Sequence, residues 1–115
     1  MTKPLVSIAL CTFNGVEFLK KQLDTIINQD YKNLEIIICD DLSKDGTKNI
    51  LDKYSLEDNR IKLFYNNENL GYIKNFEKAI KNCSGEYIFL SDQDDIWELD
   101  KVSKMLNTFK EKTLL

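Results

Sequence analysis

Short apolar runs alternate along this chain with longer segments in which apolar residues recur at helical spacing. Four runs predict strands: 5–11, 34–39, 61–65 and 87–90. The first two have the pattern of strands covered on both faces by the rest of the protein. The third run contains Lys62, which predicts a less buried place in the sheet.

The segments between and after these runs place apolar residues three and four positions apart, which predicts four helices. We expect these helices at about 15–29, 46–54, 71–83 and 99–109. Gln22 is assigned to the polar face of the first helix, and Gly85 is expected to end the third in the left-handed conformation. Residues 110–115 carry no structural signal. Strands and helices in alternation predict an α/β fold, a parallel sheet flanked by helices, with residues 1–115 forming a single domain.

Size and charge narrow the classes of function. The chain has 115 residues, 43% of them hydrophobic, which is enough to fill one core. A net charge of −3 offers no positive surface for nucleic acid, so we expect no nucleic-acid partner. No apolar stretch approaches the roughly 20 residues that span a bilayer, so we expect no transmembrane segment and a cytoplasmic protein. Association with the inner face of the membrane is left open for a longer parent chain.

The residue types present limit the chemistry further. There is no histidine, which removes the commonest general base and most zinc sites. The three cysteines, Cys11, Cys39 and Cys83, are odd in number and widely spaced, so we expect small buried thiols rather than a disulfide framework. Any chemistry must therefore rest on carboxylates, amides, hydroxyls, thiols or a bound hard cation.

Polar residues collect in the loops that follow three of the predicted strands. The first loop is Cys11-Thr12-Phe13-Asn14, the second begins with Asp40-Asp41, and the third contains Asp92, Asp94 and Asp95. Ligands of parallel sheets bind outside the carboxyl ends of the strands. We therefore expect these loops to converge and to bring as many as five carboxylates to one crevice.

Each acidic group has a structural explanation as well as a functional one. An aspartate after a strand often caps a helix or forms a turn. Such a role explains the presence of Asp40 or Asp41 as well as a functional role does. It accounts less well for three neighbouring acids, which repel one another unless a cation such as Mg²⁺ or Mn²⁺ neutralises them. A carboxylate could also accept N3–H of uracil or thymine while Phe13 covers the base, although a lone aromatic is more often core.

Three segments resemble, in order, the signatures of the family 2 glycosyltransferases, which have the GT-A fold. They are VSIALCTFNG, LEIIICDDLSKDGT and NENLGYIKNFEKAIKNCSGEYIFLSDQDD. The resemblance runs from about Pro4 to Phe109 and so covers nearly the whole chain. Any one of these motifs would be weak, but their order makes the resemblance specific.

The resemblance implies an inverting transfer of a sugar from a nucleoside diphosphate donor, a UDP- or dTDP-sugar, to an acceptor hydroxyl. The acceptor would be a saccharide or a lipid-linked saccharide, in bacterial cell-surface polysaccharide synthesis. The nucleotide-binding residues it implies are Cys11, Thr12, Phe13, Asn14, Asp40, Asp41 and Asn75. Of the acidic pair, Asp41 is preferred for reading the pyrimidine and the ribose.

The resemblance also implies a metal site. Asp92 and Asp94 correspond to the family's Asp-x-Asp motif, which holds Mn²⁺ or Mg²⁺ against the diphosphate, and Asp94 is the preferred direct ligand. The sequence SDQDDIW is similar to the motif of bacterial rhamnosyltransferases. Asp95 and Trp97 are candidate sugar contacts, although a tryptophan before a helix often packs in the core.

Two features depart from the family pattern. No segment matches the one that supplies the general base, which is expected beyond Leu115, so the chain is interpreted as a donor-binding half without its acceptor-binding half. Phe76 stands where many members have an arginine near the nucleotide, and Asn75 or a lysine would have to compensate.

Two rival functions remain, beside a third possibility, a metal-free structural domain whose stability neither a cation nor a nucleotide would change. One is a non-catalytic nucleotide-binding fragment, which would bind without turnover. The other is a Mg²⁺-dependent phosphoryl-transfer domain, which is disfavoured because such domains carry an acid or a nucleophile after the first strand, where this chain has Cys11-Thr12-Phe13.

Overall fold

The computed structural model describes residues 3–92 and 94–114, with side chains up to residue 109. These residues form eight elements in alternation: β1 (Val6–Thr12), α1 (Val16–Ile27), β2 (Leu34–Asp40), α2 (Thr47–Glu57), β3 (Ile61–Tyr65), α3 (Tyr72–Lys81), β4 (Tyr87–Ser91) and α4 (Lys101–Leu114). The predicted α/β fold is confirmed, and each predicted element is present. Within the described residues, no helix combines the length and apolar character that crossing a bilayer requires.

The four strands form one parallel sheet in the order β3-β2-β1-β4. The central strands β1 and β2 are buried along their whole length, as their continuous apolar sequences predict. The strand β3 lies at an edge, and Lys62 on it is exposed, which confirms the less buried position expected for this run.

The two faces of the sheet have separate apolar cores, because side chains alternate along each strand. On one face Ile8 and Ile36 pack against residues of α1, α2 and α4, including Leu23. On the other face Ala9, Cys11, Ile37 and Cys39 pack against Phe76 and Ala79 of α3. The carboxyl ends of the strands lie between these layers, at the edge where the loops meet.

Two sequence predictions about chain ends and turns are wrong. Gly85 is not a left-handed residue, since the one glycine with a positive φ among the described residues is Gly71. A glycine is required at 85 because a Cβ there would lie 2.7 Å from the carbonyl oxygen of Leu5 and from the amide of Ser7. The helix α4 also continues through residues 110–114, where the sequence carried no signal.

A buried carboxylate joins three strands at the end of the sheet opposite to these loops. Glu35 accepts hydrogen bonds from Ser7 Oγ (2.6 Å), Lys62 Nζ (2.7 Å) and both the amide and the hydroxyl of Ser84 (2.8 Å each). Burial opposes ionisation, but the hydrogen bonds from Lys62, Ser7 and Ser84 outweigh it and lower the pKa of Glu35 to about 2. The ionised carboxylate therefore fastens the α3–β4 turn to the sheet.

Candidate functional site

A pocket of about 400 Å³ opens at the carboxyl ends of β1 and β2, beside the start of α3. Six of its lining residues are site residues predicted from the sequence: Cys11, Thr12, Phe13, Asp41, Asn75 and Asp92. Three more line it that were not predicted: Asn69, Gly71 and Tyr72. The expectation that three strand-end loops converge is therefore confirmed.

Asp41 is fixed in the wall of the pocket by the chain that leads into α3. Its Oδ1 accepts hydrogen bonds from the amide of Leu70 (2.7 Å) and from Asn66 Nδ2 (3.0 Å), and its Oδ2 accepts one from the amide of Gly71 (3.0 Å). Burial acts to raise the pKa of Asp41, but these hydrogen bonds outweigh it, so the net shift is downward and the group is ionised at neutral pH.

Both oxygens of the Asp41 carboxylate accept hydrogen bonds from the chain that leads into α3. A carboxylate has about four lone-pair sites, two on each oxygen. The bonds above occupy two on Oδ1 and one on Oδ2. The Asn69 side chain, whose Nδ2 donates to the Asp41 carbonyl (2.7 Å), also acts to lower the pKa of this carboxyl, and Asp41 lines the pocket.

Gly71 makes this arrangement possible. Its φ of 86° and ψ of 166° fall in a region that is essentially restricted to glycine, and in this conformation its amide points at Asp41. The same backbone turn starts α3, whose first residue is Tyr72.

Two exposed aromatic rings line the pocket. Phe13 is 49% exposed and Tyr72 is 63% exposed, which is high for rings of this size. The Tyr72 hydroxyl donates to Asp92 Oδ2 at 3.2 Å, and the Tyr72 ring meets Phe76 edge-on, with centroids 5.1 Å apart. Burial and the Asp92 carboxylate raise the pKa of Tyr72, so the phenol stays protonated and remains a donor. Phe76 itself is buried, so it supports Tyr72 rather than replacing an arginine in the pocket.

Amide side chains hold the floor of the pocket. Asn75 donates to the carbonyl of Cys39 (3.0 Å) and accepts from Asn66 (2.8 Å), and Lys78 donates to the Asn66 oxygen (2.6 Å). Lys78 belongs to this network but does not line the pocket. Asn75 therefore lines the pocket, and Lys78 is connected to it only through Asn66.

Asp40 and Asn14 lie next to the pocket and join two of its loops. Asp40 is fully buried and accepts hydrogen bonds from Thr12 Oγ1 (2.7 Å), Ser43 Oγ (2.6 Å) and the Ser43 amide (3.0 Å). Ser43 Oγ also accepts from the amide of Asn14 (2.8 Å), and Asn14 Oδ1 accepts from the amide of Lys44 (2.8 Å). Neither Asp40 nor Asn14 lines the pocket.

The thiol of Cys11 is not prepared for chemistry. Burial, followed by the neighbouring Cys39, raises its pKa to about 12. A thiol that remains protonated at neutral pH is a poor nucleophile and a poor metal ligand. Cys11 therefore contributes a small apolar surface to the pocket.

The three acids after β4 are arranged differently from one another. Asp92 lines the pocket, whereas Asp94 and Asp95 do not. Asp95 Oδ2 accepts the amide of Asp92 (3.0 Å), so its carboxylate closes a turn, and Asp94 is exposed with a positive φ of 75°. The expectation of five carboxylates in one crevice is wrong, since Asp41 and Asp92 are the two that line it.

The carboxylate that would contact a bound cation here is that of Asp92, since Asp41 is buried and held by hydrogen bonds. No group of three or more acidic, cysteine or histidine side chains able to hold a metal ion forms within residues 3–92 and 94–114. Asp92 is exposed and has oxygen donors, which suits Mg²⁺ or Mn²⁺ when most of the ligands come from water and a diphosphate. The residues present fit a cation that arrives with its ligand.

Trp97 lies in the core instead of the pocket. It is 5% exposed, its ring is tilted against Phe89 with centroids 6.2 Å apart, and Lys101 Nζ lies 4.4 Å above its centroid. Of the two explanations the sequence offered for Trp97, the packing explanation agrees with this position.

The residues that sequence reasoning missed are of two kinds. Asn69, Gly71 and Tyr72 are part of the NENLGY segment, where the asparagines and glycine signal a loop but not its direction. Gln22 was assigned to a solvent-facing surface, yet it is 1% exposed and donates to Ser91 Oγ (3.1 Å) and to the Asp92 carbonyl (2.5 Å). The position of Gln22 in the helical period, next to the buried Leu23, was the signal that could have predicted its burial.

Comparisons with known proteins agree with one another. The sequence matches the family described as Glycosyl transferase family 2 over residues 7–114. It is 35% identical over 111 residues to the putative teichuronic acid biosynthesis glycosyltransferase TuaG of Bacillus subtilis, covering 96% of this chain and 44% of that protein. It is 37% identical over 103 residues to the UDP-Glc:alpha-D-GlcNAc-diphosphoundecaprenol beta-1,3-glucosyltransferase WfaP of Escherichia coli, covering 90% of this chain and 40% of that protein.

Solved structures share the fold. TarS of S. aureus superposes with a TM-score of 0.84 at 25% identity, over 93% of this chain and 20% of that one. The mannosyltransferase PcManGT of Pyrobaculum calidifontis, in complex with GDP-Man and Mn²⁺, superposes with a TM-score of 0.76 at 26% identity, over 84% of this chain and 29% of that one. The chain thus spans less than half the length of these proteins, has the GT-A fold predicted from its sequence, and belongs to glycosyl transferase family 2.

Proposed function

We propose that this chain forms the donor-binding part of an inverting glycosyltransferase that uses a UDP- or dTDP-sugar, and that the parent protein acts in bacterial cell-surface polysaccharide synthesis. The observation that carries the proposal is the pocket in which Asp41 and Asp92 face one space from two strand ends. The family assignment supports the reaction type, and the names of TuaG and WfaP support the pathway class.

The nucleoside is proposed to lie between Phe13 and Asp41. The exposed ring of Phe13 offers an apolar face for a pyrimidine. The ionised Asp41 carboxylate, which lines the pocket, accepts N3–H of uracil or thymine, a hydrogen that cytosine lacks. Both features together select UDP or dTDP over CDP, and WfaP, whose name contains UDP-Glc, is a relative at 37% identity.

The diphosphate is proposed to lie at Asp92. Phosphate oxygens and the Asp92 carboxylate repel each other, so their proximity requires a divalent cation, and Mn²⁺ in the PcManGT complex supports that choice. Such a cation, Mn²⁺ or Mg²⁺, supplies Lewis-acid stabilisation of the charge that develops on the departing diphosphate. Asp92 would hold the cation beside the diphosphate, and the Tyr72 hydroxyl orients the Asp92 carboxylate. Asp94 is the second candidate ligand, and Asp95 stays a candidate sugar contact.

The acceptor side lies outside this chain in the proposal. The general base is assigned to a part of the parent protein beyond the matched segment, because the chain covers 44% and 40% of the length of its relatives. The acceptor is proposed to be a saccharide or a lipid-linked saccharide, in line with the diphosphoundecaprenol in the name of WfaP. Rhamnose as the donor sugar rests on the resemblance of SDQDDIW alone.

Thermal unfolding with nucleotides tests this proposal directly. The midpoint is measured with UDP, dTDP, CDP and GDP, each with Mn²⁺ and with a chelator. We expect UDP or dTDP to raise it when Mn²⁺ is present, because a ligand at 100 times its Kd stabilises the folded state by about 2.7 kcal/mol. CDP and GDP should shift it less.

Variants separate the site from nonspecific charge effects. Asp92→Asn should remove the Mn²⁺-dependent part of the shift, and Asp94→Asn decides whether a second carboxylate takes part. Glu98→Gln is the matched control, because Glu98 is an exposed acid of the same segment that does not line the pocket. Equal shifts with all four nucleotides, or loss of the shift in Glu98→Gln, would contradict the proposal.

A further inference from the structure

The residues after β4 have no regular structure and depend on α1 for support. The acidic segment, residues 92–100, contains neither helix nor strand where it is described. Its backbone amides and carbonyls therefore need partners elsewhere, because buried peptide groups are costly when unpaired. This segment also contains Asp92, which lines the pocket.

One face of α1 and the residues just past its end provide these partners. Gln22, Thr25 and Gln29 are spaced three and four residues apart, and we name them the polar stripe. Thr25 Oγ1 accepts the amide of Trp97 (3.2 Å), and Gln29 donates to the carbonyl of Glu98 (2.7 Å). Gln29 also accepts the amide of Val102 (3.1 Å), the second residue of α4. The polar stripe thus follows the acidic segment from its start to α4.

Gln22 differs from the other two members of the stripe in what it contacts. Its Nε2 donates to the carbonyl of Asp92 at 2.5 Å and to Ser91 Oγ, the hydroxyl of the last β4 residue, at 3.1 Å. Gln22 is 1% exposed, so water does not compete for these hydrogen bonds. Gln22 is the member of the polar stripe that contacts Asp92, a residue that lines the pocket.

Asp92 is consequently held from two sides. Gln22 holds its backbone from α1, and the Tyr72 hydroxyl contacts its carboxylate from α3. A carboxylate that must meet a diphosphate-bound cation tolerates little displacement, since misplacement by about 1 Å can cost a hundredfold in a reaction.

We infer that Gln22 is a positioning residue: through the Asp92 carbonyl it fixes where the Asp92 carboxylate stands in the pocket. This inference rests on the proposed function insofar as the ligand of Asp92 is a diphosphate-bound cation. Gln22 does not touch the ligand, and its effect passes through Asp92.

Gln22→Met and Gln29→Met form a matched pair for the test. Each replaces a buried glutamine of the polar stripe with an apolar side chain of similar length, and each removes hydrogen bonds to the acidic segment. Isothermal titration with UDP is carried out with Mn²⁺ and with EDTA, at a temperature where both variants and the unaltered chain are folded. We expect Gln22→Met to raise the Kd with Mn²⁺ about tenfold and to leave the Kd in EDTA unchanged. Gln29→Met should lower the unfolding midpoint yet leave both constants unchanged.

Amide hydrogen exchange gives a second readout that needs no ligand. Gln22→Met should accelerate exchange at Asp92 and Asp95, whose amides close the turn at the start of the segment. Gln29→Met should accelerate exchange at Val102 and leave that turn unchanged. If the unaltered chain binds no UDP, the proposed function fails, but faster exchange confined to the turn in Gln22→Met still supports positioning of Asp92. Equal effects of the two variants on the Mn²⁺-dependent Kd and on exchange, or no effect of Gln22→Met, would overturn the inference.

Discussion

At the scale of single residues, Asp41 has two tasks that one substitution can separate. Asp41→Asn replaces one acceptor oxygen with a donor amide, which then opposes the amides of Leu70 and Gly71 or a base N–H. We expect the free energy of unfolding to fall by about 1–3 kcal/mol. We also expect the preference for UDP over CDP to weaken. Chemical denaturation and nucleotide titration measure the two effects.

Asp45→Asn is the control for this prediction. Asp45 also accepts backbone amides, those of Val16 (3.1 Å) and Thr47 (2.9 Å), but it lies outside the pocket. It should lower stability and leave the nucleotide preference unchanged. A change of preference in both variants would mean that loop stability, not Asp41 itself, sets the preference.

Glu35 gives a prediction about pH. Its pKa is about 2 in the folded chain against an ordinary value of 4.5, so the unfolded chain binds more protons between these values. The stabilisation by Glu35 is therefore complete above about pH 4.5 and is lost as the pH falls towards 2. Its full size is on the order of 3 kcal/mol. Urea unfolding of the unaltered chain and Glu35→Gln should show a difference that shrinks over this range.

Lys62→Met helps to identify the source of this stabilisation. It removes the ion pair of Glu35 and leaves the hydrogen bonds from Ser7 and Ser84. Because Lys62 is largely exposed, we expect a smaller loss than in Glu35→Gln. A pH-independent difference for Glu35→Gln would show that its carboxylate is not held ionised.

Strand alternation, which the sequence predictions did not use, explains why Asp40 and Asp41 occupy different surroundings. Asp40 continues the side of β2 that Ile36 and Ile38 occupy, so its burial follows from the period of two along a strand. Asp41 is the next residue and falls in the pocket. The hydrogen bonds that hold Asp41 come from Leu70 and Gly71, about thirty residues later, and no local pattern reveals such a pairing.

At the scale of elements, Gly85 decides whether the α3–β4 turn can lie against β1. Gly85→Ala would push a methyl group into the carbonyl of Leu5 and the amide of Ser7, which belong to backbone that cannot yield easily. We expect a loss of about 1–3 kcal/mol in unfolding free energy. Gly46→Ala is the control, because its Cβ would meet a side-chain atom of Val16 at 3.2 Å and should cost under about 1 kcal/mol. Similar losses in both variants, measured by denaturant unfolding, would contradict this account.

The elements themselves were readable because each strand is a continuous apolar run and each helix has an apolar stripe. The ends of the elements were harder to predict from the sequence. The helix α4 extends past Phe109 through residues 110–114, whose sequence has no apolar period. Adding residues to an existing helix is easier than starting one, so these residues can be helical without such a period. The turn at Gly85 was misread because close approach of two backbones, unlike a helix cap, depends on tertiary structure.

At the scale of the whole molecule, the sheet order explains why one end of the fold forms a site. Parallel strands put the ends of β1, β2 and β4 on one edge, and the order β3-β2-β1-β4 sets Thr12 beside Asp40 and Leu10 beside Ser91. The convergence was therefore predictable from strand count and direction. The full pocket wall was not, because Asn69, Gly71 and Tyr72 come from the chain that leads into α3.

The sheet order also has a consequence for synthesis of the chain. The strand β1 pairs with β2 on one side and with β4 on the other, and β4 leaves the ribosome long after β1. Until then Val6–Thr12, the most apolar of the strands, presents an unpaired edge to the crowded surroundings of the nascent chain. Because an unpaired apolar strand is prone to aggregate, slower translation before β4 would prolong the time during which β1 is exposed to aggregation.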